Sequence, residues 1–383
     1  MRMKRNMIKL GDVATYINGY AFKPEDRGEV GLPIIRIQDL TGNAYDLGFY
    51  NGDYPKRIEI NDGDVLISWS ASLGVYVWNR GRALLNQHIF KVQFDKVNID
   101  KSYFVYAVRQ KLAEMAMKTH GATMKHIVKK DFEETLIPYP SLKKQIEIGT
   151  NLDKIANIIV ARKQQLELLD KLVKARFVEM FGNPRINPRQ YPVSELSEYI
   201  EFLTSGSRGW AKYCIDDGTE WFITIKNVKD CRISVENMQS VNAPNNAEAR
   251  RTKVQEGDLL ISITADLGRT GVVTKEIAEH GTYINQHLIC IRLNKAILNP
   301  LYVAYFMEST AGKEQFESKN QSAVKAGLNF NSINSLRIMV PPISIQEEFV
   351  SFVKQVDKSK IVVQKALDEA QLLFHSLMQE YFG

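Results

Sequence analysis

The sequence predicts an α+β fold made of two tandem copies of one unit, a β-rich domain followed by a long helix. Two observations predict it: short motifs recur in the same order about 200 residues apart, and the segments after them carry a seven-residue apolar repeat. We expect the two helices to form an antiparallel coiled coil with pseudo-twofold symmetry. The predicted boundaries are 1–142 and 183–342 for the domains, and 143–182 and 343–383 for the helices.

The clearest repeated motif is Asn-Gln-His between apolar runs, at residues 86–88 and again at 285–287. Upstream of it, "GDVLIS" at 63–68 returns as "GDLLIS" at 257–262. Such ordered matches indicate a duplication rather than chance. Asn and Gln in this block are expected to satisfy backbone groups where a loop enters a strand, and His to bridge to a neighbouring loop.

Downstream of the motif, each copy has a tyrosine that opens a helix-like stretch, Tyr103 and Tyr302. A short run that ends in prolines follows, and then a glutamine, Gln145 or Gln346, opens the long helical pattern. The segment 183–192, which contains three prolines, is predicted to link the copies.

The domains are predicted to be β-rich because short apolar runs alternate with turn signals. The runs are LPIIRIQDL, DVLISWS and HIFKVQF in the first copy, and WFITIKNV, DLLISIT and HLICIRL in the second.

The long helices carry the predicted coiled-coil seam. Its positions are Leu152, Ile155, Ile159, Leu166, Leu169 and Val173 in the first helix, and Val353, Val356, Val363, Leu367, Phe374 and Leu377 in the second. In the first helix Arg162 and Arg176 occupy two seam positions, and the corresponding residues of the second helix, 201 positions later, are Val363 and Leu377. The apolar stripes of the two helices therefore look complementary, as expected for partners in one coiled coil.

Further apolar positions on the helices lie outside one seam. They either bind a partner protein or pack under the adjacent domain. These positions are Ile148, Ile158, Leu168 and Leu172 in the first helix, and Phe349, Phe352, Leu373 and Met378 in the second.

Composition indicates a globular protein of the cytoplasm. The chain has 44% hydrophobic and 25% charged residues, and the three cysteines lack a CxxC spacing, which favours reduced structural thiols. No signal peptide or transmembrane segment is expected. The net charge of +6 permits a nucleic-acid partner without requiring one. Neither domain is strongly basic, so a partner subunit is expected to supply much of the grip on DNA.

These residues together resemble the specificity (S) subunit of type I restriction–modification systems. The resemblance covers essentially the whole chain. It rests on the domain starts (8–23 and 193–210), the Gly-Asp-[Val/Leu]-Leu-Ile-Ser run, the Asn-Gln-His block, the proline-containing exit and the long helix, in that order twice. It implies two target-recognition domains, each of which reads one half of a bipartite double-stranded DNA sequence. Because the loops of the copies differ, we expect an asymmetric target.

The resemblance also implies that this chain is not catalytic and binds no cofactor itself. Two modification subunits would methylate adenine with S-adenosylmethionine, and restriction subunits that use ATP and Mg²⁺ would join in a full system. The residues agree with this. We find no phosphate-binding glycine-rich loop, no methyltransferase motif and no metal-ligand spacing, since His120 and His126 are six residues apart.

The candidate DNA-binding residues are polar, basic or aromatic side chains in predicted loops, because such groups read base edges or hold phosphates. In the first domain they are Tyr20, Lys23, Arg36, Gln38, Ser70, Ser72, Thr123, Lys125 and His126. In the second they are Ser207, Arg208, Trp210, Thr224, Lys226, Asn227, Thr264, Asp266, Arg269, Thr270, Ser322 and Lys325.

Three other functions stay open at this point. A duplicated stand-alone enzyme such as a nuclease is disfavoured, because no carboxylate cluster is repeated. An S-like scaffold or regulator without methylation partners is possible on the sequence. So is the S subunit of a methylation-only complex, which the sequence cannot separate from a full restriction system.

Overall fold

The computed structural model describes residues 6–42, 48–118, 127–206, 208–320 and 327–383. The chain divides into two compact units. Unit 1 comprises Met1–Gln164 and Gln364–Gly383, and unit 2 comprises Gln165–Val363. Both divisions fall inside a 40-residue helix, so each unit contains part of both long helices.

Unit 1 combines short strands with one medium helix and the long helices. Its strands are β1 (Met7–Lys9), β2 (Thr15–Asn18), β3 (Leu32–Ile35), β4 (Phe49–Tyr50), β5 (Glu59–Ile60), β6 (Val65–Ser68), β7 (Gly74–Val77), β8 (Ala83–Leu85), β9 (Ile89–Gln93) and β10 (Leu136–Pro138). Its helices are α1 (Leu10–Val13), α2 (Ile37–Thr41), α3 (Lys101–Lys118), α4 (Lys129–Glu133) and the first part of α5 (Leu142–Phe181).

The strands of unit 1 form three sheets. One is a four-stranded antiparallel sheet in the order β2-β9-β6-β7, and another has the order β4-β3-β8-β5 with β3 and β8 parallel. The third is the antiparallel pair β1 and β10, which brings the start of the domain beside its exit strand. A parallel pair requires a long crossover between its strands, and residues 36–82 supply it.

Unit 2 repeats this arrangement with a few additional short elements. Its strands are β11 (Val193–Glu195), β12 (Ile200–Ser205), β13 (Glu220–Ile223), β14 (Val228–Lys229), β15 (Arg232–Ile233), β16 (Gln239–Val241), β17 (Leu259–Ser262), β18 (Thr270–Val272), β19 (Thr282–Ile284), β20 (Leu288–Leu293) and β21 (Arg337–Met339). Its helices are α6 (Ala247–Thr252), α7 (Lys275–Glu279), α8 (Pro300–Glu308), α9 (Thr310–Ser318), α10 (Phe330–Asn334) and the first part of α11 (Ile343–Phe382).

The main strand pairings of unit 1 recur in unit 2, whose second sheet has three strands (β16-β13-β19) and which adds the pair β14 and β15. The order β12-β20-β17-β18 matches β2-β9-β6-β7, the parallel pair β13 and β19 matches β3 and β8, and β11 pairs with β21 as β1 pairs with β10. The predicted α+β duplication is therefore confirmed as a repeat of topology.

The Gly-Asp motif builds the turn into the central strand of each copy. Gly63 and Gly257 have φ values of +87° and +82°, a conformation that glycine adopts without steric cost. The carboxylates of Asp64 and Asp258 each accept the backbone N–H of the residue three positions earlier, at 2.8 Å. The motif is thus repeated because it shapes the scaffold.

Gln145 and Gln346 fasten each β-rich domain to the start of its long helix. Both are fully buried. Their Oε1 atoms accept the backbone N–H of Asp100 at 3.0 Å and of Asn299 at 2.8 Å, which lie just before α3 and α8. Their Nε2 atoms each donate to the carbonyl of the proline five residues earlier, at 2.8 Å. A buried side chain that satisfies backbone groups on two segments fixes one against the other.

In unit 1 the beginning of α5 packs against the end of α11. Ile148 and Leu152 share a buried cluster with Met378 and Phe382. The ring centroids of Phe382 and Tyr103 are 5.2 Å apart, so this cluster also includes α3 of the β-rich domain.

In unit 2 the end of α5 packs against the beginning of α11. The ring centroids of Phe177 and Phe349 are 5.4 Å apart in a buried cluster that also contains Val173 and Val353. Each unit by itself therefore shows the two helices running antiparallel.

All twelve predicted seam residues are buried or half-buried. Within unit 2, Arg176 at the end of α5 forms an ion pair with Glu348 near the beginning of α11, at 2.9 Å, and its guanidinium lies 5.7 Å from the ring centroid of Phe352.

The apolar positions outside the seam separate into two groups. Ile148, Phe349 and Met378 are buried under the β-rich domains, and Phe352 is half-buried. The others remain 47–61% exposed, namely Ile158, Leu168, Leu172 and Leu373.

The buried glutamines provide a stability prediction. Replacing Gln346 by Leu leaves the Asn299 N–H and two carbonyl groups without their partner, so we expect the free energy of unfolding to fall by about 2–4 kcal/mol. A urea titration followed by circular dichroism measures this. The matched control is Gln355→Leu on the exposed side of the same helix, which should change stability by less than about 0.5 kcal/mol. Equal effects of the two substitutions would contradict the anchoring role of Gln346.

Candidate nucleic-acid interface

The Asn-Gln-His block is a tight turn that connects the two main sheets of each unit. Residues 86–88 join β8 to β9, and residues 285–287 join β19 to β20. In each case the chain leaves the parallel pair of one sheet and enters the central part of the other. The turn therefore lies at the strand ends through which the chain passes from one sheet to the other.

In unit 1 the turn holds the loop that follows β2. The Tyr20 N–H donates to the carbonyl of Leu85 at 2.8 Å, and the Gln87 N–H donates to the carbonyl of Tyr20 at 2.8 Å. A Cβ atom on Gly19 would lie 2.0 Å from the carbonyl oxygen of Asn86, so only glycine allows this close approach.

The same turn contacts two further loops of unit 1. The Asn86 N–H donates to the carbonyl of Ile35 at 3.1 Å, where the loop containing α2 begins. The carbonyl of His88 accepts the Trp69 N–H at 3.2 Å, at the tip between β6 and β7. Three chain segments that are distant in sequence are thus gathered around one turn.

Unit 2 repeats these contacts. The Asn285 N–H donates to the carbonyl of Ile223 at 3.0 Å, and the carbonyl of His287 accepts the Ile263 N–H at 3.0 Å. A Cβ on Gly206 would lie 1.9 Å from the carbonyl oxygen of Asn285. We call the surface around this turn the NQH edge of each unit. In unit 1 it includes the loops at 18–23, 36–42 and 68–74, and in unit 2 it includes residues 205–206, 208–210, 224–227 and 262–269.

The two asparagines and His287 have the structural roles that the sequence indicates, whereas Nδ1 of His88 is buried without a hydrogen-bond partner among the described residues and Nε2 of Gln286 contacts Nε2 of His287 rather than a backbone group. Asn285 Oδ1 accepts the His287 N–H at 3.1 Å, and His287 Nδ1 is hydrogen-bonded to Thr264 Oγ1 at 2.8 Å, which bridges to the neighbouring loop. In unit 1, Asn86 Oδ1 accepts the Gln87 N–H at 2.8 Å.

The predicted DNA-binding residues fall into four groups. Exposed residues are Tyr20, Lys23, Gln38, Ser72, Arg208, Lys226 and Asp266. Half-buried residues are Arg36, Thr224, Thr264 and Arg269. Buried residues are Ser70, Trp210, Asn227 and Thr270. Outside the described residues lie Thr123, Lys125, His126, Ser207, Ser322 and Lys325.

The buried group corrects the sequence interpretation. Trp210 is 2% exposed and stacks on Phe222 with ring centroids 5.4 Å apart, so it is a core residue. Thr270 has no exposed surface, and its Oγ1 donates to the carbonyl of Ala304 at 3.2 Å. Asn227 and Ser70 are 5% and 8% exposed. These side chains cannot reach a DNA surface in this conformation.

Two of the half-buried arginines are engaged within the protein. Arg36 contacts the carboxylate of Asp39 at 3.4 Å, and Arg269 pairs with Asp266 at the tip between β17 and β18. Such pairing holds a guanidinium in place and reduces its availability to a phosphate.

Sequence reasoning missed two arginines near these loops. Arg251, on α6, donates to the carbonyl of Ser205 at 2.7 Å, beside Gly206. Arg80 donates to the carbonyl of Asp39 at 2.8 Å and lies 4.4 Å from the ring centroid of Trp78. Both residues are exposed. Arg80 lies in an Asn-Arg-Gly turn and Arg251 in a helix, and only the fold brings the β7–β8 connection and α6 to this edge.

The cysteines and acidic residues give no sign of a reactive centre. All three cysteines are free thiols, and burial raises the pKa of Cys290 and of Cys231. Within the described ranges, no group of three His, Cys, Asp or Glu residues is placed to hold a metal ion. Nor does that part of the chain contain a helix long and apolar enough to cross a membrane.

Comparison with known proteins agrees with the duplicated architecture. The family model of the type I restriction modification DNA specificity domain matches residues 4–169 and 215–370. The chain belongs to this family. The two matches each include one complete NQH turn, so the repeat in this chain is a repeat of the specificity domain.

Individual relatives support the same assignment. The chain is 22% identical over 400 residues to the type I restriction enzyme EcoBI specificity subunit of Escherichia coli, covering 97% of this chain and 83% of the relative. It is 27% identical over 197 residues to the MjaVIII specificity subunit of Methanocaldococcus jannaschii, covering 51% of this chain and 46% of that protein.

Solved structures establish the fold. The crystal structure of a type I restriction–modification S subunit from M. genitalium matches with a TM-score of 0.61 at 14% identity, covering 100% of this chain and 97% of that one. A chain from a structural study of complex assembly in a type I R-M system matches with a TM-score of 0.59 at 16% identity, covering 98% and 97%.

The close approach at Gly19 provides a prediction about the NQH edge. In Gly19→Ala the new methyl group would collide with the backbone of Asn86, so the loop must move away from the turn. We expect hydrogen exchange at the amides of Tyr20 and Gln87 to accelerate by at least tenfold. The control is Gly28→Ala, whose Cβ would meet its nearest neighbour at 3.8 Å and which should leave both amides unchanged. Unchanged exchange in Gly19→Ala would show that the loop does not depend on the turn.

Proposed function

We propose that this specificity-domain protein is the DNA-reading subunit of a type I restriction–modification complex, and that the NQH edge of each unit is its DNA-contacting surface. The observation that carries the proposal is that the NQH edge occurs once in each unit, around the same turn. Several backbone hydrogen bonds around the turn are shared by the two units, whereas the exposed side chains differ.

A repeated scaffold with different exposed side chains suits a target of two unlike halves. Sequence is read by side chains that reach base edges, while phosphate contacts only position the protein. The exposed set includes Tyr20, Gln38 and Ser72 in unit 1, and Arg208 and Lys226 in unit 2. Because these sets differ chemically, the two halves of the DNA target should differ in sequence.

The chemistry of modification and cleavage is assigned to other subunits. Members of this family are non-catalytic, and buried protonated thiols are poor nucleophiles. Under the proposal, modification subunits bind S-adenosylmethionine and methylate adenine, and restriction subunits, where present, use ATP and Mg²⁺. The chain acts in the cytoplasm with these partners.

The long helices supply the surface for two modification subunits. In unit 1, α5 exposes Ile158 and α11 exposes Leu372 and Leu373; in unit 2, Leu168 and Ile361 are exposed in the same way. Clusters of exposed apolar side chains on helices mark protein–protein contacts. Each unit thus has exposed apolar side chains on its helices, and under the proposal each unit binds one modification subunit.

The direct test of the function is to co-express the chain with its modification subunit and to map methylated adenines by long-read sequencing. We expect one gapped motif with two unlike halves. Methylation without sequence preference, or failure to form a complex, would refute the proposal. Adding restriction subunits to the complex then separates a full restriction system, which cleaves unmethylated DNA, from a methylation-only complex.

Exchange of one domain sharpens this test. Replacing residues 1–142 with the equivalent segment of another family member should change one half of the motif and leave the other half as it was. A change in both halves would contradict the division of reading between the units.

The helix surface has its own prediction. Leu168→Glu places a charge in the proposed apolar contact, so we expect the affinity for the modification subunit to fall by at least tenfold while the methylated motif stays the same. Size-exclusion chromatography and methylation mapping give the two measurements. Lys174→Glu, also exposed on α5, is the control and should retain assembly. A changed motif with normal assembly would reverse the assignment.

A further inference from the structure

One position on the NQH edge follows the same type of capping hydrogen bond in the two units but carries a different side chain in each. It lies in the loop that begins where the first strand of the parallel pair ends, after Ile35 in unit 1 and after Ile223 in unit 2. The carbonyls of these two isoleucines accept the N–H groups of Asn86 and Asn285, at 3.1 and 3.0 Å. The loop therefore starts at the same place relative to the NQH turn in both units.

The backbone of the loop is fixed by the same cap. The N–H of Arg36 donates to the carboxylate of Asp39 at 2.8 Å, and the N–H of Thr224 donates to Oδ1 of Asn227 at 3.0 Å. Asp39 and Asn227 are buried, with 4% and 5% exposure. Both caps close one turn of helix, formed by α2 in unit 1 and by the 3₁₀ turn Ile225–Asn227 in unit 2.

The residue immediately before the capping Asp39 or Asn227 points outward. It is Gln38 in unit 1 and Lys226 in unit 2, and both are exposed. A phosphate is the same at every DNA sequence, so a position that only held phosphate would not need a neutral amide in one unit and a cation in the other. Glutamine pairs with the N6 and N7 atoms of adenine, and lysine pairs with O6 and N7 of guanine.

Two other exposed positions on the edge, Tyr20 and Ser72, do not offer this comparison. Tyr20 corresponds by its place after the glycine to Ser207, which lies outside the described residues. Ser72 corresponds to Asp266, but the Asp266 carboxylate is paired with Arg269. Gln38 and Lys226 are a pair for which matching backbone hydrogen bonds and unequal chemistry are both visible.

We propose that Gln38 and Lys226 are equivalent base-reading residues, and that they select adenine in the half read by unit 1 and guanine in the half read by unit 2. This inference rests on the proposed function. Beyond that function, the inference assigns one base to each of two side chains that occupy corresponding positions in the two units.

The test uses reciprocal substitutions in the complete complex with the modification subunit. In Gln38→Lys, one A·T pair of the first half-site should be replaced by G·C, and in Lys226→Gln one G·C pair of the second half-site should be replaced by A·T. A bidentate contact discriminates between base pairs by roughly 5- to 150-fold, so methylation rates on paired substrates should change by that factor. Lys226→Arg should keep the preference for guanine, and Gln38→Asn should keep the preference for adenine. Retained preferences would show that a substitution at these positions does not by itself abolish recognition.

Matched controls make the same chemical changes away from the edge. Gln93→Lys alters an exposed residue at the far end of β9, and Lys275→Gln alters an exposed residue on α7. Both should leave the motif unchanged. Thermal unfolding of each variant verifies that the fold is intact.

The failures can be told apart. If the unsubstituted complex methylates no defined motif, the proposed function itself fails. If it methylates a motif that neither reciprocal substitution alters, or if both substitutions slow methylation equally on all sequences, the two residues do not read bases and the inference is overturned.

Discussion

The hydrogen bonds of the Asn-Gln-His turn are the constraint on which the recognition surface depends. The turn carries the chain from one sheet to the other, and its backbone groups are satisfied by segments that are remote in sequence. In unit 1 these partners are Tyr20, Ile35 and Trp69. Because backbone groups at such a crossing must be paired, the loops that contain the partners are fixed at one edge. Any side chain that points outward from those loops is then presented on a common surface.

The scaffold beneath this edge is repeated, and the surface is not. Gly63 and Gly257 form the same left-handed turns, and Gln145 and Gln346 make the same buried hydrogen bonds. These residues adopt a required backbone conformation or bind backbone groups. Because that local backbone geometry recurs in both units, the same residue types recur with it. Exposed side chains at corresponding places have no such requirement and are free to differ with the DNA that each unit reads.

The attachment of each domain to the helices shows that one geometry can be held by different groups. In unit 1 Asp153 on α5 accepts hydrogen bonds from Ser102 and Tyr106, at 2.6 and 2.8 Å. In unit 2 Asp357 on α11 pairs with Arg232 from β15. Both arrangements place a helix carboxylate against the β-rich domain. Removing the arginine would leave a partly buried carboxylate without its cation, which is why such pairs are costly to break once formed.

The sequence by itself determined the duplication, the α+β class, the long helices and the family, because these depend on periodicity and on motifs whose order is visible along the chain. It also indicated that the Asn-Gln-His residues are structural. Only the tertiary structure decided which loop residues face outward. Trp210 and Thr270 looked suitable for DNA in the sequence, but they pack in the core, whereas Arg251 reaches the edge from a helix. It also decided that Arg176 faces Glu348, since the direction of helix pairing fixes which ends meet. Burial and proximity depend on contacts between distant segments, and a local pattern carries no record of them.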